Sequence, residues 1–104
     1  MKAFLIDPAT QRIESVEFDG SLDGLRSLIG FPTIDSDEID ANGDRLWFDE
    51  ECFLRATPGA GRFQLDRLAP VAGKGVVTGS RAGGAEPADP VIAAQALEAR
   101  IRFS

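Results

Sequence analysis

The residues best suited to chemistry crowd into one third of the chain. Asp35, Asp37, Asp49, Glu50 and Glu51 are carboxylates within seventeen positions. If a hairpin folds one group back on the other, they could form the acid/base pair of a carboxylate-dependent hydrolase. Next to them stand Trp47 and the arginines Arg55, Arg62 and Arg67, the residue types enriched at binding hot spots. The expected binding set is therefore Trp47, Asp49, Glu50, Arg55, Arg62 and Arg67, with the 51–67 segment lying over a sheet. Cys52 follows three acids, whose negative charge opposes thiolate formation, so it reads as a packed thiol rather than a nucleophile. The chain has no histidine and no tyrosine, which leaves acid/base work to carboxylates, lysines, Cys52 or water.

Two loops imitate known ligand sites. Asp40, Asn42, Asp44 and Glu51 fall at positions 1, 3, 5 and 12 of a stretch that resembles the calcium loop of EF-hands. Arg45 occupies the sixth position, where that loop bends at glycine, and the flanks alternate like strands. A hairpin with solvated carboxylates is the preferred reading, with a weak divalent site as the alternative. Residues 76–83, VVTGSRAG, resemble the cofactor turn of short-chain dehydrogenases, but Ala85 replaces the last glycine, and Pro87 and Pro90 follow. Too little chain remains after Gly84 to supply the further parallel strands of such a fold. No catalytic residue, cofactor or resident metal is assigned.

The totals bound the rest. A chain of 104 residues with 43% apolar and 27% charged residues suits one globular domain. No apolar run nears the roughly 18 residues of a membrane span, so no membrane is expected as partner and the expected location is cytoplasmic. One cysteine excludes an intramolecular disulfide. The net charge of −6 is uneven: residues 1–51 hold thirteen acids and four bases, residues 52–104 four acids and seven bases. Nucleic acid is an unfavourable partner for such a surface, because binding it needs a concentrated positive footprint.

The elements that must position these residues can be read from pattern. Lys2 to Asp7 is apolar without alternation, like a strand covered on both faces and central in its sheet. The turn Asp7-Pro8-Ala9-Thr10 returns it as a second strand from Arg12 to Asp19. Ser21 caps a short helix with Leu22, Leu25, Leu28 and Ile29 on one face and Gly30 as its stop. Gly24 weakens that helix, so packing must hold it. Asn42-Gly43 predicts a hairpin that leaves Leu46 and Phe48 on one face and Trp47 and Asp49 on the other. Arg62 to Leu65 and a stretch through Val76 and Val77 read as further strands. Residues 79–88 read as a mobile connection. Asp89 and Pro90 then start a helix over 89–104, with a stripe of Val91, Ala94, Leu97 and Ile101. The expected fold is α+β: a mainly antiparallel sheet of about five strands, one short packed helix and a C-terminal helix, with the domain core in residues 1–78.

The helix LDGLRSLIG, the hairpin EIDANGDRLWFDEE, the loop with Pro58 and Arg62, and the strand VAGKGVVTGS together resemble a family of small bacterial and phage-borne domains of unknown function. The resemblance covers about residues 1–80 and departs at Asp49, where the family tends to carry asparagine. It implies a fold and no activity. The functional expectation is a non-enzymatic binding or accessory module with protein partners, and with possible self-association through the C-terminal helix. The alternatives are a carboxylate-dependent hydrolase using the acids of the 35–51 hairpin and an acidic DNA mimic.

Overall fold

The structure is a computed structural model that describes residues 1–55 and 59–104; Pro58 of the expected binding loop lies outside them. The fold is α+β. Among the described residues nine strands and two α-helices follow in the order β1 (Lys2–Asp7), β2 (Arg12–Glu17), α1 (Leu22–Ile29), β3 (Ile34–Glu38), β4 (Arg45–Asp49), β5 (Arg62–Leu65), β6 (Val71–Ala72), β7 (Gly75–Arg81), β8 (Glu86–Ala88), α2 (Ala94–Arg100) and β9 (Ile101–Phe103). The larger sheet runs β2-β1-β7-β4-β3, with β8 paired to the end of β7; the smaller runs β6-β5-β9. Every strand pairing is antiparallel.

Three layers result from simple alternation. Ala3, Trp47 and Val76 point to one face of the larger sheet, where Leu25 and Ile29 of α1 cover them. Phe4, Ile6, Leu46 and Val77 point to the other, under Phe63, Leu65, Val71, Leu97 and Ile101 of the smaller sheet and α2. The strand β1 is thus covered on both faces as its sequence predicts, but the middle of the sheet belongs to β7, flanked by β1 and β4. Gly75 within β7 is required by close packing, since a Cβ there would lie 2.5 Å from the Phe63 ring.

The helix α1 keeps its expected caps. The Ser21 hydroxyl accepts the Gly24 amide at 2.9 Å, and Gly30 closes the helix at φ 93°. The mid-helix glycine is explained by space: a Cβ on Gly24 would lie 2.4 Å from the Asp19 carboxylate that receives the Ser21 hydroxyl and amide.

The C-terminal quarter differs from its sequence reading. Residues 79–88, expected as a mobile connection, form the end of β7, a tight turn over residues 82–84 and β8, with Gly79 opposite Ala88 and Arg81 opposite Glu86. Gly79 permits this fold-back, because a Cβ there would meet the Asp89 carbonyl oxygen at 2.2 Å. The helix expected over 89–104 is confined to Ala94–Arg100, and Ile101–Phe103 pairs with β5 instead. Asp89 does not cap it: its carboxylate accepts the Lys2 amide at 2.9 Å. Leu97 and Ile101 of the apolar stripe are buried in the chain's own core, whereas Val91 is exposed. No helix among the described residues is long and apolar enough to cross a membrane.

Candidate functional site

At the end of β4 the register of the β3–β4 hairpin decides which acids can meet. Asp49 lies opposite Ile34, and Asp35 lies opposite Phe48. Side chains alternate across a strand, so Asp35 and Asp37 share the face of Leu46 and Phe48 while Asp49 takes the α1 face with Trp47. The structure therefore does not bring Asp49 together with Asp35 or Asp37.

What Asp49 does meet is Arg55. Asp49 is 2% exposed, and its carboxylate accepts Arg55 Nε at 2.6 Å, the Glu51 amide at 3.1 Å and the Thr33 hydroxyl. Arg55 Nη2 also donates to Thr33 Oγ1 at 2.9 Å, and the guanidinium lies 4.1 Å from the centre of the Phe31 ring. Burial pushes the Asp49 carboxyl up, but the hydrogen bonds from Arg55, Thr33 and Glu51 outweigh it and leave the group below its ordinary value. Arg55 is shifted upward in turn, chiefly by its hydrogen bond to Asp49. The cavity between Phe31, Asp49, Cys52, Arg55, Ala60, Ala72 and Gly73 measures about 50 Å³, which suits water and no substrate. Cys52 is half-buried at its wall, and its Sγ accepts the Ala72 amide at 3.5 Å. This end of β4 is a clamp between β4 and the following turn.

The remaining expected residues are dispersed. Trp47 is only 5% exposed; its indole N–H donates to Thr78 Oγ1 at 2.8 Å, so it belongs to the core rather than to a binding surface. Glu50 is exposed and contributes its amide to the Thr33 carbonyl. Arg67 is exposed beyond β5. Arg62 is exposed and lies 5.3 Å from the Phe53 ring centre, in cation–π contact.

Phe53 itself was not among the expected residues, nor was its neighbour. Phe53 is 55% and Leu54 83% exposed, side by side in a turn held by the Cys52 amide on the Asp49 carbonyl and the Leu54 amide on the Glu51 carbonyl. The available sequence signal was two bulky apolar residues in a stretch with no strand or helix period.

The calcium-like loop is occupied by protein groups. Both Asp40 oxygens accept from Arg100, which also binds Asp66, and this holds Asp40 below and Arg100 above their ordinary values. Asp44 is fully buried, and its two oxygens accept the Val91 and Ile92 amides at 2.8 Å each. Among the described residues no three acidic or cysteine side chains converge to hold a metal ion. Comparison of the chain with family models, curated proteins and solved structures gives no match.

Proposed function

We propose that this chain is a non-enzymatic binding module that docks a protein partner on the Phe53–Leu54 shoulder. The observation that carries this reading is the exposure of two adjacent bulky apolar side chains on a turn whose base is clamped by Asp49 and Arg55. An apolar pair kept in water by a rigid support is stable only at the expense of solvation, and burial against a partner recovers roughly 1.5–3 kcal/mol for each such side chain. Arg62 stacks beside the pair and suits a partner whose apolar pocket has an acidic rim. The same proposal assigns the module to the cytoplasm and to the small bacterial and phage-borne domains that its helix and hairpin resemble.

The other two readings draw less support. A hydrolase of the 35–51 acids needs a pair of carboxylates on one face, and the register puts Asp49 opposite to Asp35 and Asp37. A DNA mimic needs uninterrupted solvated acids, but Asp40, Asp44 and Asp49 are committed to Arg100, to backbone amides and to Arg55.

The test is capture from native host lysate by the full chain and by Leu54→Asp and Phe53→Ser. Leu54 is too exposed to matter to folding, so Leu54→Asp should change stability by less than about 0.5 kcal/mol. Proteins retained by the parent and lost by both variants support the shoulder as the docking site. Identical captured sets from all three end the proposal.

A further inference from the structure

The two edges of the larger sheet are finished differently. At β3 the bonds from the Ile39 amide to the Asp44 carbonyl and from the Glu50 amide to the Thr33 carbonyl set the alternation, which turns the backbone of Ile34, Ser36 and Glu38 outward. The chain itself closes most of that edge. The Ser36 amide donates to the Asp35 carboxylate at 2.8 Å, the Ser36 carbonyl accepts Arg45 Nη2 at 3.2 Å, and the Ile34 amide donates to the Pro32 carbonyl at 3.1 Å.

The edge at β2 has no such cover. Met1 and Phe18 bond each other in both directions, so Ala3–Val16, Leu5–Glu14 and Asp7–Arg12 are the bonded pairs and Ile13, Ser15 and Glu17 turn their backbone away from β1. Among the described residues no hydrogen bond is made by the amides or carbonyls of these three, and no strand lies beyond them. We propose that β2 takes an extended segment of a partner protein as an added antiparallel strand, with an apolar side chain over Ile13 and basic side chains opposite Glu14 and Glu17.

A groove beside the edge fits the apolar side chain. It measures about 340 Å³ and is lined by Gln11, Arg12, Ile13, Glu14, Glu98 and Phe103. Ile13 lies opposite Ile6 and so takes the face of the smaller sheet, where it and Phe103 pack at the margin of the core. A side chain opposite Ile13 extends that apolar row by one strand.

Charge selects the rest of the occupant. Arg12, Glu14 and Glu98 are exposed, and among the described residues none of them has an ion-pair partner. Glu17 is exposed as well, with its carboxylate 3.4 Å from the Met1 ammonium. Three acids against one arginine favour a basic segment that carries a single acid opposite Arg12. A second copy of the chain fits this edge less well. Centred on Glu14 or on Ser15, self-pairing sets the two Glu14 carboxylates opposite or diagonal to each other; centred on Ile13, it overlaps only residues 12–14 of β2. The edge shares no residue with the Phe53–Leu54 shoulder, so the two sites fail separately.

The probe is the peptide acetyl-Thr-Lys-Val-Thr-Lys-Val-Glu-Thr-amide, which sets lysines opposite Glu17 and Glu14, a valine opposite Ile13 and a glutamate opposite Arg12. A second peptide carries glutamate in place of the lysine facing Glu14. Titrated to about 5 mM into the full chain, the first should shift the amide signals of Ile13, Ser15 and Glu17 and leave those of Ser36 and Glu38 in place. The second should bind about fivefold more weakly, and Glu14→Lys, at an exposed position, should invert the order of the two. Ser15→Pro removes an outward amide without touching the bonds to β1 and should weaken the first peptide about tenfold. No shift along β2, or the same order of peptides in the parent and in Glu14→Lys, overturns the proposal. A chain that sediments as a dimer on its own, and as a monomer in Ser15→Pro, gives the edge to a second copy and overturns it as well.

Discussion

Asp44 and Asp49 flank one five-residue strand, both buried, and each is satisfied in a different way. Asp44 just before β4 is held by two backbone amides of residues nearly fifty positions away, and Asp49 at its end by a guanidinium six positions on. The first ties the 89–93 strap to the sheet. The second folds a local turn back on its own strand. The difference separates a carboxylate whose partners carry no side-chain identity from one whose partner does. It also explains why neither is available for chemistry, since among the described residues no buried polar side-chain atom lacks a partner.

The strongest way to break the comparison is to remove each carboxylate. Asp44→Ala leaves the Val91 and Ile92 amides without their acceptors, and loss of two charge-assisted bonds should cost about 3–5 kcal/mol, measured by urea unfolding. Asp49→Ala should cost less, about 2–4 kcal/mol, because Arg55 can turn to water while the Thr33 hydroxyl and the Glu51 amide lose one acceptor. If Asp49→Ala proves the more damaging, the clamp and not the strap contributes more to the stability of the fold.

Acid tests the Asp49 clamp directly. The folded-state Asp49 carboxyl is lowered, so its contribution to stability is full above the unfolded value of about 3.9 and is lost as pH falls through the folded value. In Arg55→Ala the largest lowering partner is gone and only the Thr33 and Glu51 hydrogen bonds oppose burial, so the carboxyl rises from its position in the parent. That variant should therefore be weaker than the parent at pH 7, and the gap should narrow as pH falls below about 4. Urea melts of both chains across pH 7 to 3 check this; a gap that widens on acidification would mean that Arg55 does not act through Asp49.

The same contrast marks where the sequence could be read. The caps Ser21 and Gly30, the turn Asn42-Gly43 and the split of Leu46 and Phe48 from Trp47 and Asp49 were legible because they are decided within a few residues. Residues 79–88 were not. Glycine and small residues there read as slack, whereas Gly79 is small because the Asp89 backbone crosses it. The shortened α2 has the same origin, since Asp89 was read as a cap while its carboxylate is taken by the amide of Lys2, at the other end of the chain. Of the expected site, Asp49 and Arg55 were placed together, Arg62 found Phe53, and Trp47 turned inward. The exposed pair Phe53 and Leu54 carried a signal in composition only. The open edge at β2 follows from the strand order, and no local spacing announces it.

The strap can also be loosened from its far side, which sharpens the contrast. Gly79→Ala forces a methyl into the Asp89 carbonyl oxygen, a backbone atom that cannot swing aside, and should cost about 1–3 kcal/mol. Asp89 is two and three residues before the amides that Asp44 holds, so the two lesions act on one segment. Combined with Asp44→Ala, the glycine substitution should cost much less than it does alone, because the strap is already detached. Combined with Asp49→Ala, it should add in full. Additivity in both pairs would show that the 79–92 segment is fixed by something other than Asp44.

The smallest effect belongs to the cap of α1, where Ser21→Ala removes the acceptor for the Gly24 amide and should cost about 1 kcal/mol. It provides the reference for a carboxylate in water. Asp19 receives the Ser21 hydroxyl and amide at an exposed position, and these hydrogen bonds lower its carboxyl as those of Arg55 lower Asp49. The cap should therefore weaken in acid as the Asp49 clamp does, its contribution full above about pH 4 and lost as pH falls through the lowered Asp19 value. Its solvent exposure sets the distinction: about 0.5 M sodium chloride should leave the effect of Asp49→Ala nearly unchanged, because the buried Asp49 carboxylate is little screened at that ionic strength. A salt-dependent Asp49→Ala would mean that the clamp opens to water as readily as the cap does.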